Sequence, residues 1–297
     1  MFGYEPDFYL GLLIAGITLG GVYALFGSGL TMIFGAAKLM NFAQGEIFMI
    51  GGYVAWLLIG AAGFAFGPAL VVTTIALAVI GLLLATTLFR RITSDARSLE
   101  VGLVLTLGLS ILLQNAALQV FGPNAYYPDN PWGTDGVSIG GVQIPYIRML
   151  AFGLAVVILG ALGLFLRYTR IGLAIRGVPQ NRDLAVLVGI PERRVNVVSI
   201  VLGFALSGIA GAAVSPFYGV FPNMGAGFIF IGFAILYMGG MTSVLGSVVA
   251  ALIVGVLTSF TSGLISASAA AITPLALIAA VLLFKPEGLF GSKVRTA

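Results

Sequence analysis

"FGPALVVTTIALAVIGLLLATTLF", residues 66–89, decides the fold class. No charged side chain interrupts it, and it is apolar at odd and even positions alike. The wall of a β-barrel would alternate lipid-facing with lumen-facing residues over segments of about ten. A run that is apolar on every side and longer than the roughly 20 residues of a bilayer crossing reads instead as a helix. Helices and closed barrels alone satisfy every backbone polar group in hydrocarbon. "MLAFGLAVVILGALGLFL", residues 149–166, has the same character.

Working outward, apolar runs predict spans at 8–36, 39–60, 66–89, 100–120, 147–166, 196–215, 226–241, 243–261 and 268–284. The fold expected is an all-α polytopic transmembrane helix bundle of about 8–9 spans, forming a single domain over residues 1–297. The interval 195–284 contains no Asp, Glu, Lys or Arg. Breaks within it are expected at "SPFYGVFPNMG" (215–225), "GGMTS" (239–243) and "TSGLIS" (261–266), where Pro, Gly and Ser cluster. The 226–241 run is short for a crossing.

Composition agrees. The chain is 60% apolar and only 8% charged, whereas a soluble domain carries about 25% charged residues. Glycine is abundant, at 42 residues, and pairs such as Gly16-Ile-Thr-Leu-Gly20 and Ser207-Gly-Ile-Ala-Gly211 allow helices to approach closely. Cys and His are both absent. Disulfides, thiolate nucleophiles, the ordinary general base and the commonest metal ligand are thereby excluded. With no carboxylate pair inside one span either, an embedded acid–base or metal enzyme has few carriers for its chemistry. The start, "MFGYEPDFYL", lacks a basic region and does not read as a cleavable signal peptide.

Basic residues set the expected orientation. Lys38, the arginines of "FRRITSDARSLE" (89–100), those of residues 167–194, and Lys285, Lys293 and Arg295 fit together on the cytoplasmic side of nine alternating crossings. Glu5, Asp7, Asp129, Asp135 and Arg148 then lie outside, with the N-terminus outside and the C-terminus inside. The outward segment 121–146, "FGPNAYYPDNPWGTDGVSIGGVQIPY", is read as a loop anchored at the interface by Tyr126, Tyr127, Trp132 and Tyr146. It also offers a docking or gating surface at the external mouth.

The stretch "RYTRIGLAIRGVPQNRDLAVLVGIPERR" (167–194) concentrates arginine at Arg167, Arg170, Arg176, Arg182, Arg193 and Arg194. It begins as an extension of the preceding span and is interrupted at Gly177 and Pro179. Asn181 then caps a short helix, Ala185, Leu187 and Val188 supply apolar contacts, and Gly189-Ile190-Pro191 ends it. A loop that only anchors to anionic lipid has no need of a compact helix between two breaks. Such a helix is suited to a groove on a partner.

A second segment, "GSGLTMIFGAAKLMNFAQGEIFMIGGYVAW" (27–56), places Lys38, Asn41, Gln44 and Glu46 in or near the membrane zone. Polar groups there are functional candidates by default. Two readings stand: a helix boundary with local capping and a Lys38–Glu46 pair, or the lining or gate of a translocation path. Gly35 and Gly45 suit a broken helix.

These segments resemble the permease subunits of branched-chain amino acid ABC importers. The resemblance is carried by "YALFGSGLTMIFGAAKLMNFAQGEIFMIGGY" (23–53), by "TRIGLAIRGVPQNRDLAVLVGIPERRVNVVSIVLGFALSGIAGA" (169–212) and by "LLFKPEGLFG" (282–291). The "NFAQGE" segment is most similar to the shorter, H-type subunit, with Gln44 where the family commonly has His. The resemblance implies a non-catalytic inner-membrane subunit with no cofactor of its own. It also implies a homologous second permease, two cytoplasmic ATPases that use ATP and magnesium, and an external binding protein. Nucleic acid is not an expected partner, and membrane lipid is. Residues 181–191 are similar to the family's ATPase-coupling loop, with Asp183, Ala185 and Gly189 matching and Asn181, Leu187 and Pro191 framing it. Urea and short-amide permeases share these motifs and form the nearest alternative. An ion-coupled secondary carrier is more distant, since no internal repeat is visible. No Walker A motif is present, so any ATP-driven work belongs to another subunit.

Overall fold

The computed structural model describes residues 6–92, 98–130, 132–139, 141–285 and 287–290. Of the charges that set the expected orientation, Glu5, Arg97, Lys293 and Arg295 lie outside these residues, as do the side chains of Arg91 and Arg182.

The described chain is a helical bundle. In order it runs α1 (Pro6–Ala37), α2 (Gln44–Gly60), α3 (Phe66–Ile92), α4 (Ser98–Phe121), the strands β1 (Gly136–Ile139) and β2 (Val142–Pro145), then α5 (Tyr146–Tyr168), α6 (Arg170–Gly177), α7 (Arg182–Leu187), α8 (Glu192–Tyr218), α9 (Met224–Gly239), α10 (Val244–Leu264) and α11 (Ala267–Phe284).

Seven of these helices, α1, α3, α4, α5, α8, α10 and α11, are long and apolar enough to cross a membrane. This corrects the expected count of about 8–9. The runs at 39–60 and 226–241 fold into shorter apolar helices, α2 of 17 residues and α9 of 16. At 1.5 Å per residue each spans about 25 Å, less than the roughly 30 Å of hydrocarbon. The reason is local. Lys38 takes φ +53, so the chain leaves the helix after Ala37 and re-enters it only at Gln44. Gly240, at φ +95, stops α9.

The three breaks expected in the charge-free interval are present. Ser243 caps α10 by accepting from the Gly246 N–H at 3.0 Å, and Ser266 caps α11 by accepting from the Ala269 N–H at 3.1 Å. Gly219, at φ +80, ends α8.

The core lies where α1 and α8 meet α2, α3 and α10. Every residue of α1 from Gly20 to Ala37 is buried. Both small-residue pairs are contact points. Gly16 and Gly20 lie against the backbone of α10 around Gly255; of the second pair, Gly211 lies against Phe48 of α2 and Ser207 meets Gln44, while Gly208 between them lies against Gly51. Polar contacts supplement the close packing. Thr31 and Ser247 share a 2.6 Å hydrogen bond, and Ser259 donates to the Leu12 carbonyl at 2.8 Å. By contrast, α4, α5 and α11 are mostly exposed and present Val104, Ile111, Val157 and Leu283.

The described residues of the segment 121–146 hold more secondary structure than the loop expected of it. β1 and β2 pair antiparallel, with Val137 opposite Ile144. The alternating "VSI" and "VQI" around two glycines carried that signal. Upstream, Tyr126 and Val220 exchange backbone hydrogen bonds of 2.9 and 2.7 Å, and the Tyr126 ring lies 4.4 Å from Trp56. Trp132 and Tyr127 are exposed.

Candidate translocation and coupling sites

The break between α1 and α2 gathers the polar residues singled out in the sequence, but not all at one point. Asn41 and Gln44 are fully buried. Asn41 Nδ2 donates to Gln44 Oε1 at 3.0 Å, and Gln44 Nε2 donates to the Gly203 carbonyl at 2.9 Å and to Ser207 Oγ at 2.5 Å. This pair pins the break onto α8. Lys38 is half-buried, with Nζ 5.5 Å from the centre of the Phe34 ring.

Glu46 faces elsewhere. It is 1% exposed and sits in the first turn of α2, where the positive end of the helix dipole favours a carboxylate. Ser110 of α4 donates to its Oε1 at 3.1 Å. Oε2 has no hydrogen-bond partner among the described residues. The carboxylate lies against Gly225 of α9, where a side chain would displace it. The Lys38–Glu46 pair of the boundary reading is therefore not what holds Glu46; its described partner is Ser110.

Ser110 belongs to a row that the sequence reading passed over. Thr106, Ser110 and Gln114 recur every four residues and so share one face of α4. Thr106 Oγ1 donates to the Met40 carbonyl at 3.1 Å, Ser110 to Glu46, and Gln114 Nε2 to Asn223 Oδ1. The row attaches the otherwise exposed α4 to the break between α1 and α2, to α2 itself and to the residue that precedes α9. Its signal was the four-residue spacing of polar side chains within an apolar run.

The segment 167–194 carries one more break than expected. α5 does not continue through it. Thr169 leaves the helix at ψ 150, donates to the Phe165 carbonyl, and caps α6 by accepting from the Gly172 N–H at 2.9 Å. Ile175 and Val178 are buried, and Pro179 packs beside Gly35 near the C-terminal end of α1.

The short helix forms as its sequence dictates. Asn181 Oδ1 accepts from the Leu184 N–H at 3.0 Å. At the other end Gly189, φ +81, donates to the Val186 carbonyl at 2.9 Å, and Ile190 donates to the Ala185 carbonyl at 3.0 Å. This pair of hydrogen bonds around a left-handed glycine is a Schellman cap. Pro191 follows and serves as the N-cap of α8. Of the apolar residues expected to make contacts, Ala185 is buried, whereas Leu187 and Val188 are 80% and 75% exposed. The side chain of Asp183 lies outside the described residues.

The chain is 29% identical to the high-affinity branched-chain amino acid transport system permease protein BraD of Pseudomonas aeruginosa, covering 95% of this chain and 96% of that protein. It is equally 29% identical to LivH of Escherichia coli, a permease protein of the same description, covering 96% of each. Among solved structures, PsaBC from Streptococcus pneumoniae in complex with Fab is similar over 96% of this chain and 95% of that one, at 14% identity and a TM-score of 0.49. Residues 12–285 match the family model described as branched-chain amino acid transport system / permease component, and the chain belongs to that family of multi-pass, non-catalytic transport subunits.

Proposed function

We propose that the chain forms half of the translocation path of an ATP-driven importer of branched-chain amino acids, and that α7 couples it to a cytoplasmic ATPase. The observation that carries this reading is α7 itself. It is a helix fixed at both ends by its own caps, with Leu184, Leu187 and Val188 exposed, in a family whose members are permease components. An exposed apolar face on a rigid helix is what a partner's groove accepts. Pro191 joins it to α8 without a flexible linker, so a displacement at α7 reaches the buried centre of the bundle as a rigid movement.

The partners are a homologous second permease, two ATPases that use ATP and magnesium, and an external binding protein. Substrate crosses by alternating access, without covalent chemistry in this chain. Lys38, Asn41, Gln44 and Glu46 line or gate the route. The buried, incompletely satisfied Glu46 supports this, because such a group inside a membrane is costly and persists where it serves transport. The residues α7 offers to the ATPase are Asn181, Asp183, Ala185, Leu187, Gly189 and Pro191, three shaping the helix and the others facing or supporting its contact. In this reading the N-terminus lies outside and the C-terminus inside, and residues 1–297 form one transmembrane domain.

The test is uptake into proteoliposomes holding this chain, its permease partner, the ATPases and a binding protein. Labelled leucine should enter only with internal access to ATP, and isoleucine and valine should compete. Competition by urea or short amides instead would move the substrate assignment. Uptake driven by an ion gradient after ATP depletion would remove the ATPase from the reading.

A further inference from the structure

A cleft of about 550 Å³ opens between α6 and the first turns of α8. Its size lies in the range of small-molecule sites. The 189–191 turn forms one wall, but none of the exposed apolar residues of α7 lines it. It is thus a separate surface from the one offered to an ATPase, and shares only that turn.

Its chemistry is divided. Ile171, Ala174 and Val198 make the interior apolar, while Arg170, Arg193 and Arg194 stand around it. No acidic residue lines it. The three arginines are exposed, and none of their guanidinium groups is hydrogen-bonded or ion-paired among the described residues. Each guanidinium presents five donors and suits a phosphate.

The position adds a second constraint. Arg170 follows closely on the end of α5, and Arg193 and Arg194 lie in the first turn of α8. Both helices are of crossing length, so the cleft lies at a membrane boundary. Free phosphate would satisfy the arginines and leave the apolar wall wet. An apolar chain alone would leave the arginines unpaired. An amphiphile with an anionic head satisfies both.

We propose that this cleft holds one anionic phospholipid, its phosphate held by Arg170, Arg193 and Arg194 and part of an acyl chain lying along Ile171, Ala174 and Val198. The lipid lies against the 189–191 turn and stiffens the junction between α7 and α8. This inference does not depend on the transported substrate.

The experiment uses the full-length chain in detergent, with dioleoylphosphatidylglycerol, dioleoylphosphatidylcholine or inorganic phosphate added and bound molecules counted by native mass spectrometry. One phosphatidylglycerol should be retained in preference to phosphatidylcholine, and phosphate should not displace it. Replacing all three arginines by Gln should weaken retention about a hundredfold, from roughly fivefold per charge. Ala174→Trp keeps every charge and fills the apolar wall; it should also weaken retention. Equal retention of the two lipids, displacement by phosphate, or unchanged binding in either variant overturns the proposal. So does an arginine variant that keeps its lipid but no longer binds an ATPase, since that assigns the charges to a protein partner.

Discussion

Ser110 of α4 donates a 3.1 Å hydrogen bond to Glu46 of α2, and Glu46 offers its second carboxylate oxygen to no described partner. α4 has little apolar packing against the bundle, so this bond and its neighbours at Thr106 and Gln114 carry much of its attachment. Helix association in a membrane gains nothing from hydrophobic exclusion between apolar faces, which leaves such polar contacts a larger share.

Ser110→Ala should loosen α4 without unfolding the chain. Interhelical hydrogen bonds in membranes contribute about 0.6 kcal/mol on average and rarely exceed ~2 kcal/mol. A thermal melt in detergent should therefore fall by a few degrees at most. Glu46→Gln should leave the melt unchanged or slightly raised, because it removes a buried charge, yet lower uptake at least tenfold. A Glu46→Gln protein that transports at the normal rate would show the carboxylate to be structural.

Gly189 should tolerate no side chain. Its φ of +81 costs an L-residue about 1–2 kcal/mol, and Gly189→Ala should fray the end of α7. ATP hydrolysis should continue while uptake per ATP falls several-fold. Asn181→Ala, at the opposite end, should cost about 1 kcal/mol and produce a milder version of the same defect. Normal coupling in Gly189→Trp would remove α7 from its assigned role.

Leu187→Asp separates contact from folding. Leu187 is 80% exposed, so the substitution should leave the melting temperature of the isolated chain within about a degree, consistent with surface changes of ±0.5 kcal/mol. Co-purification of the ATPase should fail. Retention of the ATPase at wild-type stoichiometry would place the contact elsewhere.

The close approach of α2 and α8 gives a test of the packing itself. A Cβ on Gly51 would sit 2.6 Å from the Gly208 Cα, whereas one on Gly160 of α5 would meet nothing within 4 Å. Gly51→Ala should cost about 1–3 kcal/mol, the usual range for overpacking, and lower the yield of folded protein. Gly160→Ala should behave as wild type. Equal melting of the two variants would contradict the contact.

Much of this protein was legible before its structure. The apolar run at 66–89 specified a membrane helix because its chemistry is the same on every face. Asn181, Gly189 and Pro191 specified the ends of α7 because a cap is formed by residues next to one another in the chain. The same holds for Ser243 and Ser266. Less legible was the true start of α2, since hydropathy does not register that Lys38 adopts a left-handed conformation within an apolar region. The hairpin at 136–145 was hidden by its surrounding Pro and Gly.

By itself, the sequence determined the solvent of this chain, the positions of most helix ends and the family to which its motifs point, since each depends on composition or on neighbours within a few residues. Only the tertiary structure decided which polar groups meet. Glu46 is joined to Ser110 rather than to Lys38, Gln44 reaches Ser207, and Arg170 comes to share a cleft with Arg193 and Arg194. Those pairings depend on how helices distant in sequence rotate and close upon one another, and small-residue contacts such as Gly51 against Gly208 set that rotation.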